Sequence, residues 1–169
     1  MSEAKIFKVK SRLGEMVLNR GGASAADSIR RAEAEVEKTY PTALRTIDDL
    51  LAQLDAAHAA DLAGDPPGTR EDHERVYACA SRVIDASICL QDSMLDAAAR
   101  ALCDLVDLST ELGVWDSEAV GVHVQAMRLL RHAGKAMDAE SRRRLVESLY
   151  QVTRKRVGDP AQVASTLAG

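Results

Sequence analysis

The sequence predicts an all-α protein, an antiparallel helical bundle built from a long helical hairpin plus a shorter C-terminal helical hairpin. Three observations carry this. Apolar residues recur at steps of three and four through most of residues 24–158. Gly and Pro gather in a few short stretches, whereas a β-sandwich would spread them between many short strands. The chain is 46% apolar and 28% charged, too rich in core formers for a disordered chain. Its 169 residues make one domain.

Residues 1–23 read as a basic N-terminal arm of net charge +3 that ends in Gly21-Gly22. Ser24 then suits a helix N-cap, with Asp27 three residues on. From there an apolar stripe runs through Ile29, Ala32, Val36, Tyr40, Leu44, Ile47, Leu50, Leu51, Leu54 and Ala57. Pro41 interrupts it by removing a backbone donor. The stripe keeps its phase across Pro41, which favours one kinked helix over two.

Gly64-Asp-Pro-Pro-Gly68 is the strongest punctuation in the chain. Thr69, with Asp72 three residues later, suits the next N-cap, and Glu71 and Glu74 suit the positive end of the helix dipole. A second stripe runs from Val76 to Leu112 and stops at Gly113, so a second helix of about forty residues is expected to pack against the first. A shorter pair follows. Asp116 or Ser117 caps a helix to about Ala133, with Val120, His123, Ala126, Met127 and Leu130 inward and Gly134 as its stop. Asp138 caps the last helix, which turns Leu145, Val146, Leu149 and Val152 inward and ends at Gly158-Asp-Pro160. The bundle domain is thus 24–158, and 159–169 is a flexible tail. Apolar length left over on the longer hairpin predicts a homodimer.

Net charge is −4, with an acidic middle between basic ends: −4 over 24–64, −5 over 69–113 and +2 over 138–169. Together with 3% aromatics, this excludes a nucleic-acid partner. Charges fall where a signal peptide needs an apolar run, and no stretch reaches the length of a membrane span. Cys79, Cys89 and Cys103 fit no zinc spacing, fall in the one predicted second helix, and are expected as small core residues of a protein in the reducing cytoplasm. No phosphate-binding loop, dinucleotide fingerprint or nucleophile elbow is present, so no cofactor is expected.

Two patterns could carry chemistry. His132 and Lys135 form an H-x-x-K step, and His132 points away from the apolar face. An exposed imidazole beside an ammonium is what histidine phosphotransfer needs: the ring attacks an aspartyl phosphate and the cation offsets phosphoryl charge. Phosphotransfer domains, however, usually carry a glycine after that lysine, and here Gly134 precedes it. The second pattern is an acid followed four residues later by an amide: Asp49 with Gln53, and Glu147 with Gln151. It resembles the step used by CheZ-type response-regulator phosphatases, where the carboxylate holds a receiver lysine and the amide orients water. The plainer reading of both pairs is a solvated helix face. His123 reads as a core histidine. His58 and His73 flank the proline turn and could meet there with Asp61 or Asp72, but without a ligand motif no metal is expected. Trp115, the single Trp, reads as a plug where the hairpins meet.

The opening, Phe7-Lys-Val-Lys-Ser-Arg-Leu13 followed by Gly21-Gly22-Ala-Ser-Ala-Ala-Asp-Ser-Ile29, resembles the CheE-like proteins of bacterial chemotaxis operons over residues 5–36. The resemblance implies a cytoplasmic accessory of the chemotaxis phosphorelay and no catalytic residue. The expected function is therefore non-catalytic: binding a response-regulator receiver or the chemotaxis histidine kinase. The arm residues Lys5, Lys8, Lys10 and Arg12 would meet acidic receiver surfaces. The alternatives are a CheZ-type phosphatase or a histidine phosphotransfer protein.

Overall fold

A computed structural model describes residues 24–64, 68–90, 93–133 and 136–157. Among these the fold is all-α, with five helices: α1 (Ala25–Ala63), α2 (Arg70–Ser87), α3 (Leu95–Leu112), α4 (Ser117–Ala133) and α5 (Ala139–Arg156). The chain divides into two compact units between Lys38 and Thr39, inside α1.

In the first unit, residues 25–38 are helical, and nearly every side chain is exposed. Ser24 caps this end as its sequence suggests: its Oγ accepts from the Asp27 N–H at 3.0 Å and donates to the Asp27 carboxylate. The apolar stripe is expected to be buried from Ile29 onward, but Ile29 is 57% exposed. Periodicity identified the helix without showing where its cover begins.

The second unit holds the core. α1 continues through Pro41 as one helix, as stripe phase predicts, and its buried face begins at Ile47 and passes through Leu50, Leu51, Leu54 and Ala57. Long-range contacts set the directions of packing. Gln53 and Ala57 border the same pocket as Arg75 and Cys79, and the end of α1 meets the turn before α2 through Asp61 and Gly68, so α1 and α2 run in opposite senses. Asp48 meets Arg131, Asp55 meets Arg128 and His58 meets Ser117, which makes α4 antiparallel to α1. His73 meets Thr110, so α2 and α3 are antiparallel. His123 faces Thr153 and Glu118 pairs with Arg156, so α4 and α5 are too. α3 is central, packing on α2, α4 and α5. Ten of its residues are buried, among them Ala98, Ala99 and Ala101, whose small side chains allow neighbouring helices close approach.

The second forty-residue helix is corrected. Residues 70–112 form two helices that fold back on each other. Near the break, Ser87 Oγ donates to the Val83 and Ile84 carbonyls, and Met94 takes a left-handed conformation (φ 59°) to start α3. No Gly or Pro marks this turn. The only sequence cue is the jump in the stripe from Ile88, now 77% exposed, to Leu95. The cysteines are correspondingly redistributed: Cys79 lies in α2, Cys103 in α3 and Cys89 in the connection. Cys79 and Cys103 are buried and all three are free. Burial, with Asp107 and Asp104 nearby, pushes the Cys103 thiol up to about 11, so it is inert at neutral pH.

The caps follow the sequence closely. Thr69 and Asp72 form a reciprocal capping box, with Thr69 Oγ1 accepting from the Asp72 N–H and the Asp72 carboxylate accepting from the Thr69 N–H at 3.0 Å. Asp116, rather than Ser117, caps α4 by accepting from the Ala119 N–H at 2.9 Å. Asp138 caps α5 through the Ser141 N–H at 2.7 Å. Each such cap contributes about 1 kcal/mol. Gly113 (φ 63°) closes α3, and the Val114 N–H reaches the Ser109 carbonyl. All five inward positions expected of α4 are buried. No helix of the described residues is long and apolar enough to cross a membrane.

Candidate functional site

The most organised polar group sits where three helix ends meet. Asp61 lies four residues beyond Ala57 and seven beyond Leu54, so the helix repeat carries it onto the buried stripe of α1. It is 0% exposed. Its two oxygens are satisfied separately: Oδ1 accepts from the Gly68 N–H at 2.6 Å, and Oδ2 from the Trp115 indole Nε1–H at 2.9 Å. The carboxylate thereby fastens the end of α1 to the following turn and to the link before α4.

Gly68 fits beneath the indole because it has no side chain. A Cβ there would lie 2.5 Å from Trp115 Cδ1 and Cγ, and the backbone is left-handed (φ +73°). On the indole lies His73, with ring centroids 4.0 Å apart and planes 17° from parallel. Thr110 Oγ1 donates to the Val106 carbonyl at 2.8 Å, so it receives the 2.9 Å hydrogen bond from His73 Nδ1–H. The neutral ring then carries its lone pair on Nε2, which is buried without a partner. Burial holds the His73 pKa below its ordinary value, although Asp61 and Asp72 pull the other way. His73 is therefore held toward its neutral form.

Trp115 is the expected plug, packed on the core, and it also donates the hydrogen bond that Asp61 needs. Sequence reasoning passed over that role of Asp61. Two signals could have found it: an acid in phase with the apolar stripe, and a lone Trp at the facing turn.

Beside this cluster, α2 and α3 border an open cleft of about 470 Å³, lined by His73, Tyr77, Val106, Asp107 and Thr110 together with the Arg70–Glu74 pair. Of the acids of α3, Asp107 lines the cleft, and Asp104 and Glu111, one turn to either side of it along the helix, also stand exposed. Burial raises the Asp107 pKa, and Asp104 and Glu111 raise it further. Burial raises that of Asp104 as well, against the opposing charge of Arg100.

The residues singled out from sequence are placed differently. Asp49 and Gln53 are both exposed on α1, and Gln53 borders a shallow pocket with Arg75 and Cys79. Glu147 and Gln151 are exposed on α5. His132 is exposed near the end of α4, as its helical position implies. These groups are not brought together with the polar cluster. Lys135 and the arm residues Lys5, Lys8, Lys10 and Arg12 lie outside the described residues. His123 is the expected core histidine: it is 0% exposed, donates from Nδ1 to the Ala119 carbonyl at 2.8 Å, and faces Thr153 through Nε2. His58 and His73 do not converge, since His58 Nε2–H donates to the Ser117 carbonyl at 2.8 Å while His73 turns to Thr110. Among the described residues no group of three His, Cys, Asp or Glu side chains is placed to hold a metal.

Compared with protein-family models, with curated proteins and with solved structures, the chain shows no match.

Proposed function

We propose that this protein is a non-catalytic accessory of a bacterial chemotaxis phosphorelay. It binds a response-regulator receiver or the chemotaxis histidine kinase in the cytoplasm and alters phosphoryl flow by contact. The resemblance of residues 5–36 supplies the context. The structural observation that supports a docking role is charge presented on a packed scaffold. On the last turn of α5, Arg154 and Lys155 stand exposed, while Arg156 is occupied by Asp116 and Glu118. These cations suit the acidic surroundings of a phosphorylated aspartate, and Lys5, Lys8, Lys10 and Arg12 of the sequence carry the same sign of charge. A second copy is the proposed cover for the exposed Ile29 side of α1, and light scattering of the purified chain should give a dimer mass.

The test is a titration against each receiver and the kinase of the chemotaxis cluster, with and without a phosphoryl mimic on the receiver. Binding that depends on the mimic is the expected result. Reversing the charges of Lys5, Lys8, Lys10 and Arg12 should weaken it and flatten its salt dependence. Failure to bind any of these proteins would overturn the reading. Accelerated dephosphorylation abolished by Gln53→Ala would replace it with the phosphatase, and acid-labile label on His132 with phosphotransfer.

A further inference from the structure

The α2–α3 cleft has a polarity opposite to that of the basic arm, and nothing in the phosphorelay reading uses it. Its lining is largely apolar and includes His73, Tyr77, Val106 and Thr110. Tyr77 is 40% exposed and flanks the buried stripe of its helix, which runs through Val76, Ala80 and Val83. The volume of about 470 Å³ accepts one or two large side chains.

The charges around it are uneven. Arg70 is spent on Glu74 at 2.8 Å. Asp107 has no ion-pair partner among the described residues, and the charges that act on it, Asp104 and Glu111, are of its own sign. Asp104, Asp107 and Glu111 recur at steps of three and four, so they form one strip about 10 Å long on the outer face of α3. A small cation placed at one end of that strip would leave the other end unneutralised. A chain segment with cations every third or fourth position meets all three acids, while one apolar residue enters the cleft.

We infer that the α2–α3 cleft is a docking site for a basic amphipathic segment of a partner protein, with one bulky apolar residue seated against Tyr77 and Val106 and Lys or Arg side chains along Asp104, Asp107 and Glu111. This inference is independent of the phosphorelay reading, since it needs neither the arm nor a receiver. Apolar seating and the acidic strip both contribute to affinity, and the strip also sets orientation and rate.

Trp115 provides the readout. It is the only tryptophan in the chain and stacks on His73, which lines the cleft. The full chain is titrated, following Trp115 emission, with a Trp-free peptide carrying four Lys at helical spacing around one Phe. Two control peptides replace Phe by Ala, or all Lys by Glu. Saturable binding of the first peptide is expected, weakened about tenfold by Phe→Ala and lost with Glu. On the protein side, Asp104→Lys with Asp107→Lys, and separately Tyr77→Ala, should each weaken binding about tenfold. Both sites are exposed, and an unchanged melting curve verifies that the fold survives. Glu33→Lys with Glu37→Lys, on exposed α1, should leave the affinity unchanged. Absence of binding would overturn the inference. So would equal binding of the Phe and Ala peptides, or equal weakening by the α1 and α3 reversals, either of which would reduce the effect to general charge attraction.

Discussion

Asp49 and Asp61 belong to the same helix and have opposite fates. Asp49 stands in solvent with Gln53 one turn away, and neither has a hydrogen-bonding side-chain partner among the described residues. Asp61, twelve residues on, is wholly buried and holds the Gly68 amide and the Trp115 indole. The carboxylates are chemically alike; their positions relative to the apolar stripe differ. An acid off the stripe meets water. An acid on the stripe must be supplied with donors, because an unsatisfied buried carboxylate is costly. The outer face of α1 is therefore free to change with little effect on folding, whereas the Asp61 cluster is where small changes are felt.

The sharpest way to break this contrast is Gly68→Ala. The new methyl would overlap Trp115 and be held at positive φ, so a loss of about 3 kcal/mol is expected in urea denaturation. Gly113→Ala has positive φ but no neighbour near the added carbon, and should cost about 1 kcal/mol. Equal losses would show that the Trp115 contact is immaterial.

Asp61→Ala leaves two half-buried N–H donors without their acceptor and should cost about 2 kcal/mol, with a changed Trp115 emission. Asp49→Ala and Gln53→Ala should each stay within about 0.5 kcal/mol. A large loss at Asp49 would remove the distinction between the two faces.

A smaller effect concerns pH. Burial holds the His123 pKa below its ordinary value, so the unfolded chain takes up that proton more readily than the folded one. The stability this contributes is present above the unfolded value of about 6.5 and is lost as pH falls through the depressed folded value. His73 acts in the same direction. Asp104 and Asp107, whose pKa values are raised, act oppositely: the folded state holds those protons more readily, so acidification through their range favours folding. Denaturation midpoints measured from pH 7 to pH 5 should therefore fall less steeply for His123→Asn than for the natural chain. An unchanged slope would mean that Thr153 and Ala119 hold the charged ring as well as the neutral one.

Much of the molecule was legible before its folding was known. Periodicity located the inward face of α4 residue by residue, and on α5 it placed Val146 and Leu149 in the core and Leu145 and Val152 half-buried beside it, while missing Thr153. Capping chemistry located helix starts at Ser24, Thr69 and Asp138, because those side chains bond their own first turn. Gly113 ended α3 for an equally local reason. The break between α2 and α3 was not legible. Its turn uses Ser87, Ser93 and a left-handed Met94 in place of Gly or Pro, and residues 70–112 read as one continuous stripe. Nor were the functional candidates distinguishable by type, since acids at four-residue spacing from amides occur on any polar face.

What the sequence by itself determined is what neighbours along the chain decide: helix content, caps, the phase of each apolar stripe, the outward direction of Asp49, Gln53 and His132, and the inward direction of His123. What only the tertiary structure decided depends on residues far apart in sequence. It exposed Ile29, turned one expected helix into two, and joined Asp61 to Trp115 across 54 positions. It also opened the cleft between Tyr77 and Asp107. A helical repeat specifies which side of a helix seeks cover, but the partner that provides the cover, and the length over which it does so, is fixed only when all the helices compete for the same core.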